Sequence, residues 1–243
     1  MNSSKIYVEK FKIRASEVDN NGKITIPAIC GLFQEIAGNH ALLLNFDITD
    51  LHRQGLTWVL YRMDIEVYEF PNWRDEITIE TWPATGDGLR TYRNYRILDK
   101  DGKELVVSLS YWMMINLETR RPTRLNEDIL NTRFSDREHV LLPKTDRIGN
   151  LEEITLTKEI TVRQADLDMN RHVNNVRFIE WMMESLNEDE RTKVNKVDIQ
   201  FIREAVYGNT IQSKLSPVSE TSTLHQLDNE KGELVAKALL QTR

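Results

Sequence analysis

Residues 12–36, KIRASEVDNNGKITIPAICGLFQEI, and residues 161–185, TVRQADLDMNRHVNNVRFIEWMMES, are two versions of one pattern. Arg14 falls on Arg163, Glu17 on Asp166, Asp19 on Asp168 and Asn21 on Asn170, all at an offset of 149 residues. In both copies a strand-like segment enters a polar turn and leaves it as an amphipathic helix. The correspondence continues downstream. YRMDIEVYEFPNWRDEITIETWP resembles VNKVDIQFIREAVYGNTIQSKLSP when Asp64 is set on Asp198, and LDKDGKELVVSLSYW resembles LDNEKGELVAKALLQ. Self-similarity over this length marks a duplicated structural unit.

The helices show what each unit does with its core. Ile29, Leu32, Phe33, Ile36, Ala37, His40, Ala41 and Leu44 recur at helical spacing and make a wide apolar face. Thr25 supplies a cap and Pro27 a first turn. In the second copy Phe178, Ile179, Met182, Met183 and Leu186 do the same, with Asn174 or Asn175 as cap. The segments TYRNYRIL and LVVSLSYWMMIN are rich in β-branched and aromatic residues and read as strands. A long apolar helix among antiparallel strands needs a curved sheet to wrap it, which is the hotdog arrangement. The expected class is α+β, with two tandem hotdog repeats, each an antiparallel sheet around a long central helix. Residues 1–135 form the first repeat, 136–153 a linker within a polar stretch that begins near Asn131, and 154–243 the second repeat.

Composition narrows the setting. The chain has 243 residues, 40 % of them apolar and 29 % charged, which is ordinary for a globular protein with a substantial core. No uncharged apolar run approaches the roughly 20 residues that cross a bilayer. The N-terminal MNSSKIYVEK lacks the marks of a signal or transit peptide. Cys30 is the one cysteine, so no internal disulfide or cysteine metal cluster forms, and a bacterial cytoplasm is the expected location. A net charge of −6 argues against non-specific nucleic-acid binding but leaves room for a local basic patch.

The chemistry concentrates at the mouth of the second helix. A helix N-terminus offers unpaired backbone N–H groups and a partial positive charge, suited to a developing oxyanion. Asn170 adds a neutral donor, His172 a base or acid near neutral pH, and Asp168 a group to orient them or hold the loop. Glu204, in QFIREAVYG, has apolar neighbours and is expected on a later strand, buried beside His172, where it helps activate a water. The set suits hydrolysis of an activated acyl bond. The first copy keeps Asp19 and Asn21 but has Lys23 in place of His172 and Phe70 in place of Glu204, so one half reads as catalytic and the other as supporting. Asn and Asp also serve turns and caps with no catalysis at all. Cys30 on an apolar helical face reads as a small buried hydrophobe, and no G-x-S-x-G elbow is present. His40, His52, His139, His172 and His225 are scattered, without the i, i+4 pairing of a zinc site, so neither metal nor cofactor is implied.

DLDMNRHVNNVRFIEWMMES closely resembles the signature of the acyl-acyl carrier protein thioesterases of plastids and bacteria. GLTWVLYRMDIEVYEFPNWRDEITIETWP, GDGLRTYRNYRILDKDGKEL and SYWMMINLETRRPTRL resemble further segments of that family in the same order. The resemblance implies hydrolysis of the thioester that holds a fatty acyl chain on its carrier protein. It places the catalytic set on Asp168, Asn170, His172 and Glu204. Plant members often carry a cysteine after the acid. Ala205 stands there in this chain, which favours direct attack by water. The resemblance also implies that the acyl tail lies in the first repeat, where Ile29, Phe33, Ala37, His40, Trp58 and Met63 are candidate liners. Burial contributes about 0.8 kcal/mol per methylene, so depth would set chain length. Carrier proteins are acidic, and Arg90, Arg93, Arg96, Arg120, Arg121 and Arg124 are the candidate docking cations. Hydrolysis of acyl-CoA and non-catalytic acyl binding are the rival readings. Whether two copies pair as a homodimer is open at this stage.

Overall fold

In the computed structural model, which describes residues 5–86, 88–125 and 137–243, the duplicated sequence becomes a duplicated topology. In the first half β1 (Tyr7–Lys12) runs through a 3-10 turn at Ala15–Glu17 into helix α1 (Ile26–Leu43). A short helix α2 (Ile48–His52) precedes β2 (Leu56–Val67), β3 (Glu76–Thr85), β4 (Arg90–Leu98), β5 (Glu104–Asn116) and the two-residue β6 (Pro122–Thr123). In the second half β7 (Leu156–Thr161) runs through a 3-10 turn at Gln164–Asp166 into α3 (Asn175–Met183). Then come α4 (Glu188–Lys193), β8 (Val194–Phe201), β9 (Thr210–Ser219), β10 (Ser222–Asn229) and β11 (Leu234–Thr242). The strand order is β1-β3-β4-β5-β2 in the first half and β7-β9-β10-β11-β8 in the second. The two orders are identical once the repeats are superposed, as the sequence echo predicts.

Contacts divide the chain into two units, one of residues up to Pro143 apart from Asp64–Glu66, the other of Lys144–Arg243 together with those three. Residues 137–153 carry no regular secondary structure but are held down by side chains. In the first unit Arg137 pairs with Glu80 at 2.9 Å and Val140 N donates to Asn94 Oδ1 at 3.0 Å. In the second, Lys144 reaches Asp64 at 2.7 Å and Asp198 at 3.2 Å, and Lys237 donates to Gly149 O at 3.3 Å. Residues 126–136 lie outside the described residues, and with them the start of the polar stretch at Asn131 and the expected repeat–linker boundary.

Both central helices start as their sequences dictate. Thr25 Oγ1 accepts from Ala28 N at 3.2 Å, with Pro27 in the first turn, and Asn174 Oδ1 accepts from Val176 N at 3.0 Å. The buried face of α1 includes Ile29, Phe33 and Ile36, each with no exposed area, and Phe33 stacks on Tyr95 of β4 at 4.5 Å. The lengths differ. α1 has 18 residues, whereas α3 has nine and stops at Met183, short of the Leu186 that its apolar stripe includes. Ser185 turns its hydroxyl to Ser213 at 2.9 Å, and Asn187 caps α4 by accepting from Glu190 N at 2.9 Å. These short polar side chains offer the backbone an alternative to continuing the helix. The central helix expected of each repeat is therefore present in both, and is shorter in the second.

Hairpin turns fix the registers. Gly102 at φ 83 closes β4–β5 and Gly232 at φ 73 closes β10–β11, conformations that a Cβ disfavours. Among the described residues no helix is long and apolar enough to cross a membrane.

Two outcomes follow. Phe33→Ala removes a fully buried ring and should cost about 3–5 kcal/mol in denaturant unfolding. His225 is buried, holds Thr223 Oγ1 at 3.0 Å through Nε2, and burial pushes its pKa from 6.5 down to about 4. The unfolded chain takes up that proton near pH 6.5, so stability is intact above this value and is lost as pH falls toward 4, by about 3 kcal/mol at the lower end. His225→Leu should flatten that part of the stability–pH curve, read by urea unfolding across the window.

Candidate active site

The polar turn before α3 is built on two carboxylates. Asp166 is 1 % exposed and receives Arg163 N at 2.8 Å, Arg163 Nε at 3.1 Å and an Arg163 terminal nitrogen at 2.8 Å. The hydrogen bonds from Arg163 hold its carboxyl below the ordinary aspartate value. The backbone carbonyl of Asp166 accepts from Asn174 N at 2.9 Å, which sets where the helix begins. Asp168 then closes the turn on itself. Its Oδ1 accepts from Asn170 N at 2.8 Å and His172 N at 3.2 Å, and its own N–H donates to His172 O at 2.8 Å. Arg171 completes the turn in a left-handed conformation at φ 64.

Backbone pairing brings the acid to this turn. Val173 N donates to Ala205 O at 2.8 Å and His172 bridges Val206, so the loop after β8 lies along the turn. His172 Nε2 and Glu204 Oε2 come to 3.5 Å, with 31 % and 42 % of their side chains exposed. Glu204 is therefore neither buried nor on a strand, contrary to its apolar neighbours in sequence. Those neighbours, Ile202, Val206 and Tyr207, are themselves exposed. The pair is therefore open to solvent. Asn170 is exposed on the same turn. Fewer helix amides remain available than a bare N-terminus would offer. Val176 N is taken by the Asn174 side chain and Arg177 N by the Asn174 carbonyl, leaving Asn175 N as the first-turn amide without an acceptor among the described residues.

The first unit repeats this backbone without the acid and base. Asp19 Oδ1 accepts from Asn21 N and Lys23 N, both at 2.9 Å, and Lys23 bridges Asn72. Lys23, at the His172 position, donates through Nζ to the carbonyl of Phe70, at the Glu204 position, at 3.4 Å. Gly22 occupies the Arg171 position at φ 71. The aspartate thus orders the turn in both units. The titratable His172–Glu204 couple belongs to the second alone.

The candidate liners of the first unit divide. Ile29, Phe33, Ala37 and His40 lie on the buried side of α1, and Met63 is buried on β2. Trp58 belongs to a separate cluster with Leu51, Met114 and Leu125, and its indole donates to Phe46 O at 3.0 Å. The candidate docking cations divide too. Arg120, Arg121 and Arg124 are exposed around the β5–β6 turn, and Arg90 is half-buried at the start of β4. Arg96 pairs with Glu104 at 2.8 Å. Arg93 turns inward, with one guanidinium nitrogen 3.1 Å from His40 Nδ1 and 3.3 Å from Thr81 Oγ1, so it is not a docking cation. Sequence reasoning missed this inward role. The signal was the alternation that puts Arg93 on the same strand face as Tyr95 and Ile97.

Residues 4–132 match the acyl-ACP thioesterase N-terminal domain and residues 149–242 the acyl-ACP thioesterase C-terminal domain. The chain is similar to the oleoyl-acyl carrier protein thioesterase of Coriandrum sativum, at 32 % identity over 95 % of this chain and 68 % of the relative. It is similar to oleoyl-acyl carrier protein thioesterase 1 of Arabidopsis thaliana at 30 % identity, over 88 % of this chain and 64 % of the relative. The chain thus spans about two thirds of the length of these plant proteins. The crystal structure of an acyl-ACP thioesterase from Bacteroides thetaiotaomicron superposes with a TM-score of 0.91 at 28 % identity, covering 100 % of both chains.

If the aspartates are architectural, Asp19→Ala and Asp168→Ala should lower unfolding free energy by similar amounts, about 1–3 kcal/mol each. Arg171→Gly, which relieves a left-handed non-glycine residue, should not lower it and should raise it by up to about 1 kcal/mol. Urea titration of the three variants checks both outcomes.

Proposed function

The chain belongs to the acyl-ACP thioesterase family, whose members are thioester hydrolases, and from that premise we propose that it hydrolyses fatty acyl-acyl carrier protein to free fatty acid and carrier protein. The observation that carries the reading is the His172–Glu204 couple at 3.5 Å, set at a helix mouth and replaced by Lys23 and Phe70 in the other copy of the same turn.

In this reading a water held by the couple attacks the thioester carbonyl carbon. The proton leaving the water enters the His172–Glu204 pair, and the pair returns it to the departing thiolate sulfur when the tetrahedral intermediate collapses. Oxyanion charge is received by the Asn170 side-chain amide and by Asn175 N–H. One such donor is worth about 10²–10³ in rate. Asp168 acts as a positioning residue, since its carboxylate binds the amides of Asn170 and His172. Ala205 after the acid offers no nucleophile, in keeping with direct attack by water. The acyl chain is assigned to the interior of the first unit, against Ile29, Phe33, Ala37, His40 and Met63. Arg120, Arg121 and Arg124 are assigned to the acidic carrier protein.

Free-thiol release from matched panels of acyl-carrier proteins and acyl-CoAs tests this directly. The expected result is turnover on carrier substrates that falls about 10²–10⁴-fold in His172→Ala and in Glu204→Gln. Arg121→Glu with Arg124→Glu should slow the carrier panel and spare acyl-CoA. Unchanged turnover in the His172 and Glu204 variants would overturn the catalytic assignment. No turnover on either panel would leave an acyl-binding protein.

A further inference from the structure

The face of the first unit's sheet that meets α1 is interrupted by polar groups. Along β4, Arg93 and Tyr95 alternate onto that face, where Tyr95 stacks on Phe33 and Arg93 reaches His40, both residues of α1. Strand register sets Ser110 opposite Arg93 and Ser108 opposite Tyr95 on β5, and Thr81 opposite Tyr95 on β3. The Ser110 hydroxyl donates to Tyr95 Oη at 3.3 Å and accepts from Trp112 Nε1 at 2.7 Å. The Ser108 hydroxyl has no exposed area and no hydrogen-bond partner among the described residues.

Arg93 is the costly member of this belt. Its partners are a histidine nitrogen and a threonine hydroxyl, and no carboxylate pairs with it among the described residues. Burial pushes the guanidinium below its ordinary pKa, with Tyr95 as the opposing influence. Arg93 is mostly but not wholly buried, with its guanidinium directed at α1. A mostly buried cation without a counter-ion and a buried hydroxyl without a partner are each unfavourable. A plain hydrocarbon chain laid against them improves neither. An oxygen carried on the chain would give either group a partner.

We propose that the interior of the first unit selects an acyl chain bearing a hydroxyl or other acceptor oxygen beyond its thioester carbonyl, received by Arg93 and Ser108. The inference rests on the reading of the first unit as the acyl site, and it names the class of chain that site takes. Arg93 is then a specificity residue rather than a catalytic one.

Calorimetric binding of free palmitate and of its mid-chain and terminal hydroxy derivatives tests it without requiring turnover. At least one hydroxy acid should bind the wild-type protein about tenfold or more tighter than palmitate. Arg93→Met should erase that preference while binding palmitate at least as well, and Ser108→Ala should reduce it. Should Arg93→Met fail to fold, Arg93→Lys and Ser108→Ala carry the same comparison. Equal or weaker binding of both hydroxy acids by wild type, or an unchanged preference in the folded variants, overturns the proposal. Thiol release from plain acyl-carrier proteins in that case leaves the hydrolase reading standing. A hydroxy preference with no thiol release would sink the hydrolase reading alone.

Discussion

One carboxylate oxygen, accepting from two backbone amides, is the constraint on which each half of the molecule depends. In the second unit it is Asp168 Oδ1, bound to the amides of Asn170 and His172, and in the first it is Asp19 Oδ1, bound to those of Asn21 and Lys23. The bond folds a polar turn tightly enough that the next residues pair with the loop leaving β2 or β8. That pairing fixes where the central helix starts and which sheet it lies against. Caps at Thr25 and Asn174 then finish what the turn begins. A buried acid one step earlier, Glu17 or Asp166, anchors the turn from behind through the preceding arginine.

Because this scaffold is indifferent to the side chains it displays, the two copies have been free to diverge. The turn holds a lysine facing a carbonyl in one unit and a histidine facing a glutamate in the other, on the same hydrogen-bonded frame. The divergence reaches the interior as well. α1 keeps its full length and its ring-on-ring contact with β4, whereas α3 gives way after nine residues to a buried serine pair. In the first unit the helix-facing side of the sheet carries Arg93 and its hydroxyl neighbours.

Much of this was legible in the sequence. The repeat gave element order, and strand topology followed it, because turn residues and alternating strands are local signals. Thr25, Pro27 and Asn174 announced the helix starts through side chains that act on adjacent amides. What escaped the sequence depended on contacts far along the chain. The apolar stripe through Leu186 overstated α3, since a hydrophobic pattern does not register the pull of Ser185 toward Ser213. Glu204 looked buried because its sequence neighbours are apolar, yet Ile202, Val206 and Tyr207 are exposed around it. Arg93 looked like a surface cation among other arginines. Strand parity turns it onto the helix-facing side, and parity is hard to credit when the residue it buries is charged.

The shared turn has a consequence for how such proteins are recognised. His172 and Glu204 meet through a backbone pairing that neither side chain helps to form, and Lys23 and Phe70 ride on the same pairing without difficulty. The displayed side chains and the architecture beneath them are thus separable. A relative differing at either of those two positions alone would keep the same backbone pairing, so under the proposed mechanism it is the identity of two side chains, rather than the shape of the backbone, that would separate a hydrolase from its inert twin.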